Sequence, residues 1–186
     1  PSIMRDLFKL LAPEFIAEIL QGMDNRLSGP LLAVMSPTRA ATTLSIINQS
    51  DTHNEPVLVA NLLSWIVFTG AALIIPEMDH DLARGALLAM EDFDSTRNIL
   101  AEMNVVDAAS LLTPVDSAVL GQIFTTMNPN KAARILGAMN PAKAVEIVNE
   151  MEVEEAIPIL VVMNPEQFNP IYQDTSFSAE IKKVLV

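Results

Sequence analysis

The chain has 186 residues, 51% of them apolar, which is long enough for a domain with a buried core and too apolar for intrinsic disorder. Its 11 basic and 23 acidic residues give a net charge of −12, which argues against nucleic acids and anionic membrane surfaces as partners. The absence of cysteine excludes disulfides and thiolate metal sites, and it fits a reducing, cytoplasmic compartment.

The first predicted elements are short helices that recur every twelve residues. Met23 and Met35 are twelve apart, and the segments LAPEFIAEILQG (11–22) and MSPTRAATTLSI (35–46) share one plan. Proline follows early in each segment, and apolar residues then recur at helical spacing. A short polar residue followed by proline is typical of a helix start. Each unit is therefore predicted to form one amphipathic helix of about eight or nine residues.

A long apolar segment comes next. The residues VLVANLLSWIVFTGAALII between Pro56 and Pro76 carry no charge, so their length and hydropathy admit a membrane span. The alternative is a pair of short buried helices with a break at Thr69-Gly70. We favour buried helices because the same repeat continues on both sides. Membrane contact is therefore expected only if 57–75 lies outside the core.

Two aromatic residues of this segment, Trp65 and Phe68, are candidate partner-binding residues. Exposed aromatic side chains often contribute much of the binding energy of an interface. The alternative, which we favour from the sequence, is that both pack inside a wide central core.

The repeat resumes at Met78 and Met90, and acids collect where these two units begin. Carboxylates are the ligands that Mg²⁺ prefers, so this group is a candidate magnesium site. The alternative, which we favour, is that acids in a first helical turn complement the helix dipole. The cluster Glu152, Glu154 and Glu155 has the same two interpretations. The candidate magnesium ligands are Asp79, Asp81, Glu91, Asp92 and Asp94.

The clearest units begin at methionines spaced twelve apart, as in MNPNKAARILGA (127–138) and MNPAKAVEIVNE (139–150). Alanine recurs five places after the Met, and an apolar pair recurs eight and nine places after it. These offsets lie on one stripe of an α-helix. A helix this short is unstable alone, so each stripe should pack against the preceding and following helices. The short turns predict antiparallel neighbours.

Two further features are the prolines inside three units and the C-terminal tail. Proline stands seven places after a repeat Met at Pro30, Pro158 and Pro170, where we expect kinks or new helix starts. The tail 169–186 ends in apolar residues at helical spacing. It is expected to close the last repeat as a cap or to dock on another copy.

The predicted fold is all-α: a superhelical solenoid of short antiparallel helices with a repeat of roughly 12 residues. We predict a single domain over 1–186. It contains repeats at 11–47 and 78–168, the apolar central segment 49–77 and a C-terminal cap at 169–186.

The MNPxxAxxIL units resemble the helical N-terminal domain of MgtE-type magnesium transporters and the related middle domain of the flagellar motor-switch protein FliG. The resemblance covers 11–47 and 78–168. It implies a helical superhelix that, in the transporters, is cytosolic and takes part in magnesium-dependent gating. FliG-like proteins carry a Glu-His-Pro-Gln partner motif at a unit start, whereas the starts here read Asn-Pro-Asn, Asn-Pro-Ala and Ser-Pro-Thr. No functional residue of either family is carried over.

No enzymatic motif is present. His53 and His80 lack the spacing of a zinc site, and no Gly-rich phosphate loop or nucleophile motif occurs. We therefore expect no cofactor other than Mg²⁺ at the acidic group. The first hypothesis is a non-enzymatic protein-interaction or scaffold module that binds a protein partner or self-associates. The alternative is the cytosolic Mg²⁺-responsive regulatory domain of an MgtE-type transporter.

Overall fold

The computed structural model describes residues 6–8, 10–50, 55–90 and 93–185, and it is helical throughout, with no strand in these ranges. Residues 6–8 and 10 are helical and precede the first full helix. The helices are α1 (Pro13–Gln21), α2 (Asn25–Leu32), α3 (Pro37–Ser50), α4 (Glu55–Ser64), α5 (Phe68–Ile74), α6 (His80–Leu88), α7 (Phe93–Glu102), α8 (Val105–Leu112), α9 (Ser117–Thr125), α10 (Pro129–Ala138), α11 (Pro141–Asn149), α12 (Val153–Val161), α13 (Pro165–Gln173) and α14 (Ala179–Leu185). A short 3₁₀ helix, Ile75–Glu77, follows α5.

An Asn or Asp after a repeat Met caps its helix, as predicted. The Oδ1 atom of Asn140 accepts a hydrogen bond of 2.9 Å from the backbone N–H of Ala142, and Pro141 begins α11. This bond satisfies one of the N–H groups that a helix start leaves free. The same cap is formed by Asp24, Asp79, Asn104, Asp116, Asn128 and Asn164.

The apolar stripe of each unit is buried, which confirms the predicted periodicity. The alanines five places after the Met have no exposed surface, and small side chains there permit close approach of the helices. Ile19, eight places after Leu11, is an exception because its side chain is 40% exposed. The buried stripe residues include Ala132, Ile135, Leu136, Ala144, Ile147, Val148, Ala156, Ile159 and Leu160.

The chain packs as two compact units, one ending at Met103 and one beginning at Asn104. In the first unit, α1, α3, α5 and α7 contact one another in series, and so do α2, α4 and α6. In the second unit the two series are α8, α10, α12, α14 and α9, α11, α13. Most of the extensive contacts therefore join alternate helices, whereas the sequence suggested packing on the helices before and after. The consecutive pair α3 and α4 in the first unit is an exception that follows the predicted pattern. The single-domain organisation stays a prediction.

The apolar segment forms two helices, as predicted, but the break lies earlier than Thr69-Gly70. Helix α4 ends at Ser64 and α5 begins at Phe68, so Thr69 and Gly70 lie in the first turn of α5. A Cβ on Gly70 would lie 3.0 Å from Cγ2 of Ile66, so this glycine provides space for the Ile66 side chain of the preceding turn. None of the described helices has the length and apolar character needed to cross a membrane.

The three prolines at the seventh place lie inside helices α2, α12 and α13. No new helix begins at any of them, so that part of the prediction is wrong. Proline removes the hydrogen bond to the carbonyl four residues earlier. Here that carbonyl belongs to an exposed residue of the first turn, Arg26, Glu154 or Glu166, where water can replace the lost donor.

Candidate functional site

The acids at the start of α6 are occupied within their own helix. The Oδ1 atom of Asp79 accepts hydrogen bonds from the backbone N–H groups of Asp81, at 3.0 Å, and Leu82, at 3.1 Å. Asp81 forms an ion pair with Arg84 three residues later. This arrangement is the cap and first-turn role that the sequence analysis favoured.

The remaining candidate metal ligands are divided between α7 and the residues before it. Asp94 forms an ion pair with Arg97. Glu91, Asp92 and His53 lie outside the described residues, and His80 is the exposed first residue of α6. Within the described ranges, no group of three His, Cys, Asp or Glu side chains could hold a metal ion. A magnesium site that includes Glu91 and Asp92 stays a prediction.

The glutamates at the start of α12 also have structural roles. An oxygen of Glu155, Oε2, accepts a 3.0 Å hydrogen bond from the hydroxyl of Thr125. The same atom accepts a 3.4 Å hydrogen bond from the backbone N–H of Glu152. This carboxylate therefore joins the start of its own helix to the end of α9.

The C-terminal tail packs on the second unit through α14, which contacts α12. Phe177 and Ile181 are buried. The Asn149 side chain donates to the carbonyl of Ser176 at 2.8 Å and accepts from the N–H of Ser178 at 2.9 Å. These contacts join the tail to the second unit, and its role as a closing cap stays a prediction.

The central aromatic residues differ from each other in exposure. Trp65, in the turn between α4 and α5, is 48% exposed, so the favoured interpretation that it packs inside the core is wrong. Phe68, the first residue of α5, is partly buried. Trp65 begins a three-residue turn in which Ile66 is buried, and Leu63 at the end of α4 is buried as well.

Contacts from α2 hold Trp65 in place. The guanidinium carbon of Arg26 lies 5.4 Å from the centre of the indole ring, which is the geometry of a cation–π contact. A Cβ on Gly29 would lie 2.6 Å from the Trp65 Cβ and 2.8 Å from its carbonyl carbon. Only glycine permits this approach, so the turn that carries Trp65 rests directly on the backbone of α2. We call Arg26, Gly29 and Trp65 the tryptophan face.

A cavity of about 550 Å³ lies in the second unit. It was not predicted from the sequence, because its wall combines the start of α8, the middle of α10 and the turn into α13. The polar groups of the wall include the guanidinium of Arg134 and the amide of Gln167. The lining residues are Val105, Ala133, Arg134, Val162, Met163, Asn164, Pro165 and Gln167.

The described fold is that of an all-α helical repeat. Residues 95–179 match the model of a family described as the MgtE intracellular N domain. The chain therefore contains an MgtE N-domain-like helical domain, which confirms the resemblance to that domain over these residues, whereas the relation to FliG and the resemblance over 11–47 stay predictions. Comparisons with curated proteins and with solved structures find no match.

Proposed function

We propose that the chain is a non-enzymatic protein-interaction module that binds a second copy of itself through the tryptophan face. One observation supports this proposal above the others: a tryptophan held in place by its neighbours leaves nearly half of its surface in water. Tryptophan and arginine are the residue types that most often dominate interface energies. Here the indole and the Arg26 guanidinium already contact each other, so little side-chain entropy remains to be lost on binding.

Other large apolar side chains of the first unit are also exposed to solvent. Val67 is 74% exposed, Leu73 is 63% exposed and Leu27 is 60% exposed. Leu27 follows Arg26 in the chain, and Val67 comes two residues after Trp65. Several exposed large apolar side chains in one unit are typical of surfaces that bind proteins.

The chain has one tryptophan, so its fluorescence reports on this face alone. If copies associate through the tryptophan face, the emission should shift to the blue and acrylamide quenching should fall as protein concentration rises. Sedimentation velocity over the same range should show a species of twice 20.2 kDa. The Trp65→Ala variant should weaken association by at least about 30-fold, because each copy loses a residue worth about 2 kcal/mol and both copies carry the change.

Val184→Ala is the matched control, because Val184 is 60% exposed but lies in the second unit. This variant should associate as the unmodified chain does, and circular dichroism should show that both variants keep their helices. A chain that stays monomeric at every concentration, or an assembly that Trp65→Ala leaves unchanged, would contradict the proposal.

The second candidate function is a Mg²⁺-responsive regulatory domain, and the family match supports it. Binding of Mg²⁺ to the acidic group would stabilise the folded chain and raise its melting temperature. A melt with Mg²⁺, compared with NaCl at the same ionic strength, separates binding from screening. Asp79→Asn tests the site, with Asp116→Asn as control because Asp116 caps α9 in the same way. A Mg²⁺ effect equal in both variants would refute this candidate.

A further inference from the structure

The cavity of the second unit has an unusual wall for so acidic a chain. The chain carries 23 acidic residues, yet none of the residues that line this cavity is acidic. The one charged lining residue is Arg134, on the exposed side of α10. One guanidinium at a wall that contains no acidic lining residue favours a negatively charged group over a positively charged one.

Arg134 also has no partner of its own among the described residues. Other arginines are engaged: Arg84 with Asp81, Arg97 with Asp94, and Arg26 with the indole ring. No described acid or carbonyl contacts Arg134 in this way. The donors of a guanidinium are arranged in a fork that matches a carboxylate. Arg134 is therefore free to hold a carboxylate from outside the chain.

The rest of the wall is suited to an aliphatic group next to that carboxylate. Val105, Val162 and Met163 supply apolar surface, and Gln167 supplies an amide that can donate and accept hydrogen bonds. A Cβ on residue 137 would lie 2.5 Å from the Gln167 side chain, so the absence of a side chain at Gly137 allows the amide to lie against α10. The volume falls within the range of sites that bind compact ligands.

We propose that this cavity binds a segment of a partner protein in which an Asp or Glu side chain lies beside aliphatic residues. The carboxylate pairs with Arg134, and the neighbouring aliphatic side chain packs on Val105 and Val162. The cavity belongs to the second unit, so the proposal is independent of the tryptophan face. It gives the chain a second binding site, one selective for acidic partners.

The test uses NMR on the whole chain labelled with ¹⁵N. The probe is the peptide acetyl-Leu-Glu-Leu-amide, and the matched probe acetyl-Leu-Gln-Leu-amide lacks only the charge. The expected result is a saturable shift of the Gly137 backbone signal and the Gln167 side-chain signal, with a Kd of about 1 mM or tighter. The Gln peptide should bind about two- to fivefold more weakly, as expected on losing an ion pair with an exposed guanidinium.

Two variants separate the cavity from overall charge. Arg134→Gln removes the guanidinium and should weaken binding of the Glu peptide about two- to fivefold, the size expected of an ion pair at an exposed position. Lys183→Gln removes the same charge from an exposed position on α14 that does not line the cavity, so its affinity should be unchanged. The spectrum of each variant shows directly whether it is folded.

Equal binding of the two peptides, an absence of shifts at Gly137 and Gln167, or equal effects of the two variants would overturn the proposal. Octanoate provides a further arm, because it carries a carboxylate on an aliphatic chain without a peptide backbone. Binding of octanoate in preference to the Glu peptide would overturn the assignment to a protein segment and indicate a free aliphatic acid instead.

Discussion

The approach of Gly29 to Trp65 leads to a quantitative prediction for Gly29→Ala. The new Cβ would lie 2.6 Å from the Trp65 Cβ and 2.9 Å from its carbonyl oxygen, about 1 Å closer than carbon atoms normally approach. Neither opposing atom can rotate away. Forcing one extra methyl group into such a contact costs about 1–3 kcal/mol, and the rigid neighbours place this site near the upper limit.

Alanine also favours a helix over glycine by about 1 kcal/mol, which offsets part of that cost. The expected net loss for Gly29→Ala is therefore about 2 kcal/mol. Gly22→Ala is the control in the same unit, since its Cβ would have ordinary contacts of 3.7 Å and 3.8 Å with backbone oxygens. This variant should gain about 0.4–1 kcal/mol from the reduced freedom of the unfolded chain.

Urea unfolding followed by Trp65 fluorescence measures both variants, and the native emission is a second observable. Displacement of the turn should change the emission of folded Gly29→Ala. Pro30 also disfavours a helical residue before it, but that effect acts on the backbone of residue 29 and would leave Trp65 undisturbed. The reasoning fails if Gly29→Ala is as stable as Gly22→Ala and has the native emission.

Two further predictions concern polar groups of the second unit. Lys143→Met should lower the free energy of unfolding by about 1–3 kcal/mol, measured by urea unfolding, because the Val115 carbonyl loses the 2.8 Å hydrogen bond from Nζ. Lys183→Met is the control and should change the free energy of unfolding by less than about 0.5 kcal/mol. Hydrogen bonds from the Ser176 hydroxyl and N–H lower the pKa of Asp174 below its usual 3.8. The ionised carboxylate therefore stabilises the folded chain above that pH, and this contribution is lost as pH falls through the folded-state pKa. Asp174→Asn should therefore lower stability at neutral pH, and the difference from the unmodified chain should shrink below about pH 4, with an unchanged difference contradicting the assignment.

Much of the fold follows from local rules. The cap at Asn140 and the buried pair Ile147-Val148 depend on residues within one unit, so the sequence is enough to predict them. The break predicted at Thr69-Gly70 lies before Phe68 instead, and Gly70 has a different role, because it leaves room inside the first turn of α5 for the Ile66 side chain. The pairing of alternate helices is also a property of the packed array, since twelve-residue periodicity is compatible with several arrangements.

The candidate sites also differ in whether they depend on local residues or on the packing of distant helices. Asp79 could be interpreted as a cap because its partners are two and three residues away. The exposure of Trp65 depends on contacts with α2, more than thirty residues earlier in the chain. The Arg134 cavity depends on α13 packing against α10, and its sequence signals are faint: an arginine on a polar face, with a glycine three residues later. Neither signal indicates a cavity until Val162 and Gln167 are placed beside it.

The pairing of alternate helices constrains how such a chain can change in length. Within the second unit, α8, α10, α12 and α14 form one series, and α9, α11 and α13 form the other. Removal of a single twelve-residue unit would move every later helix from one series to the other. Each of these helices would then contact neighbours whose side chains are suited to a helix of the other series. Removal or duplication of two successive units would preserve the parity of all later helices. Viable length variants should therefore differ in steps of about 24 residues, twice the repeat.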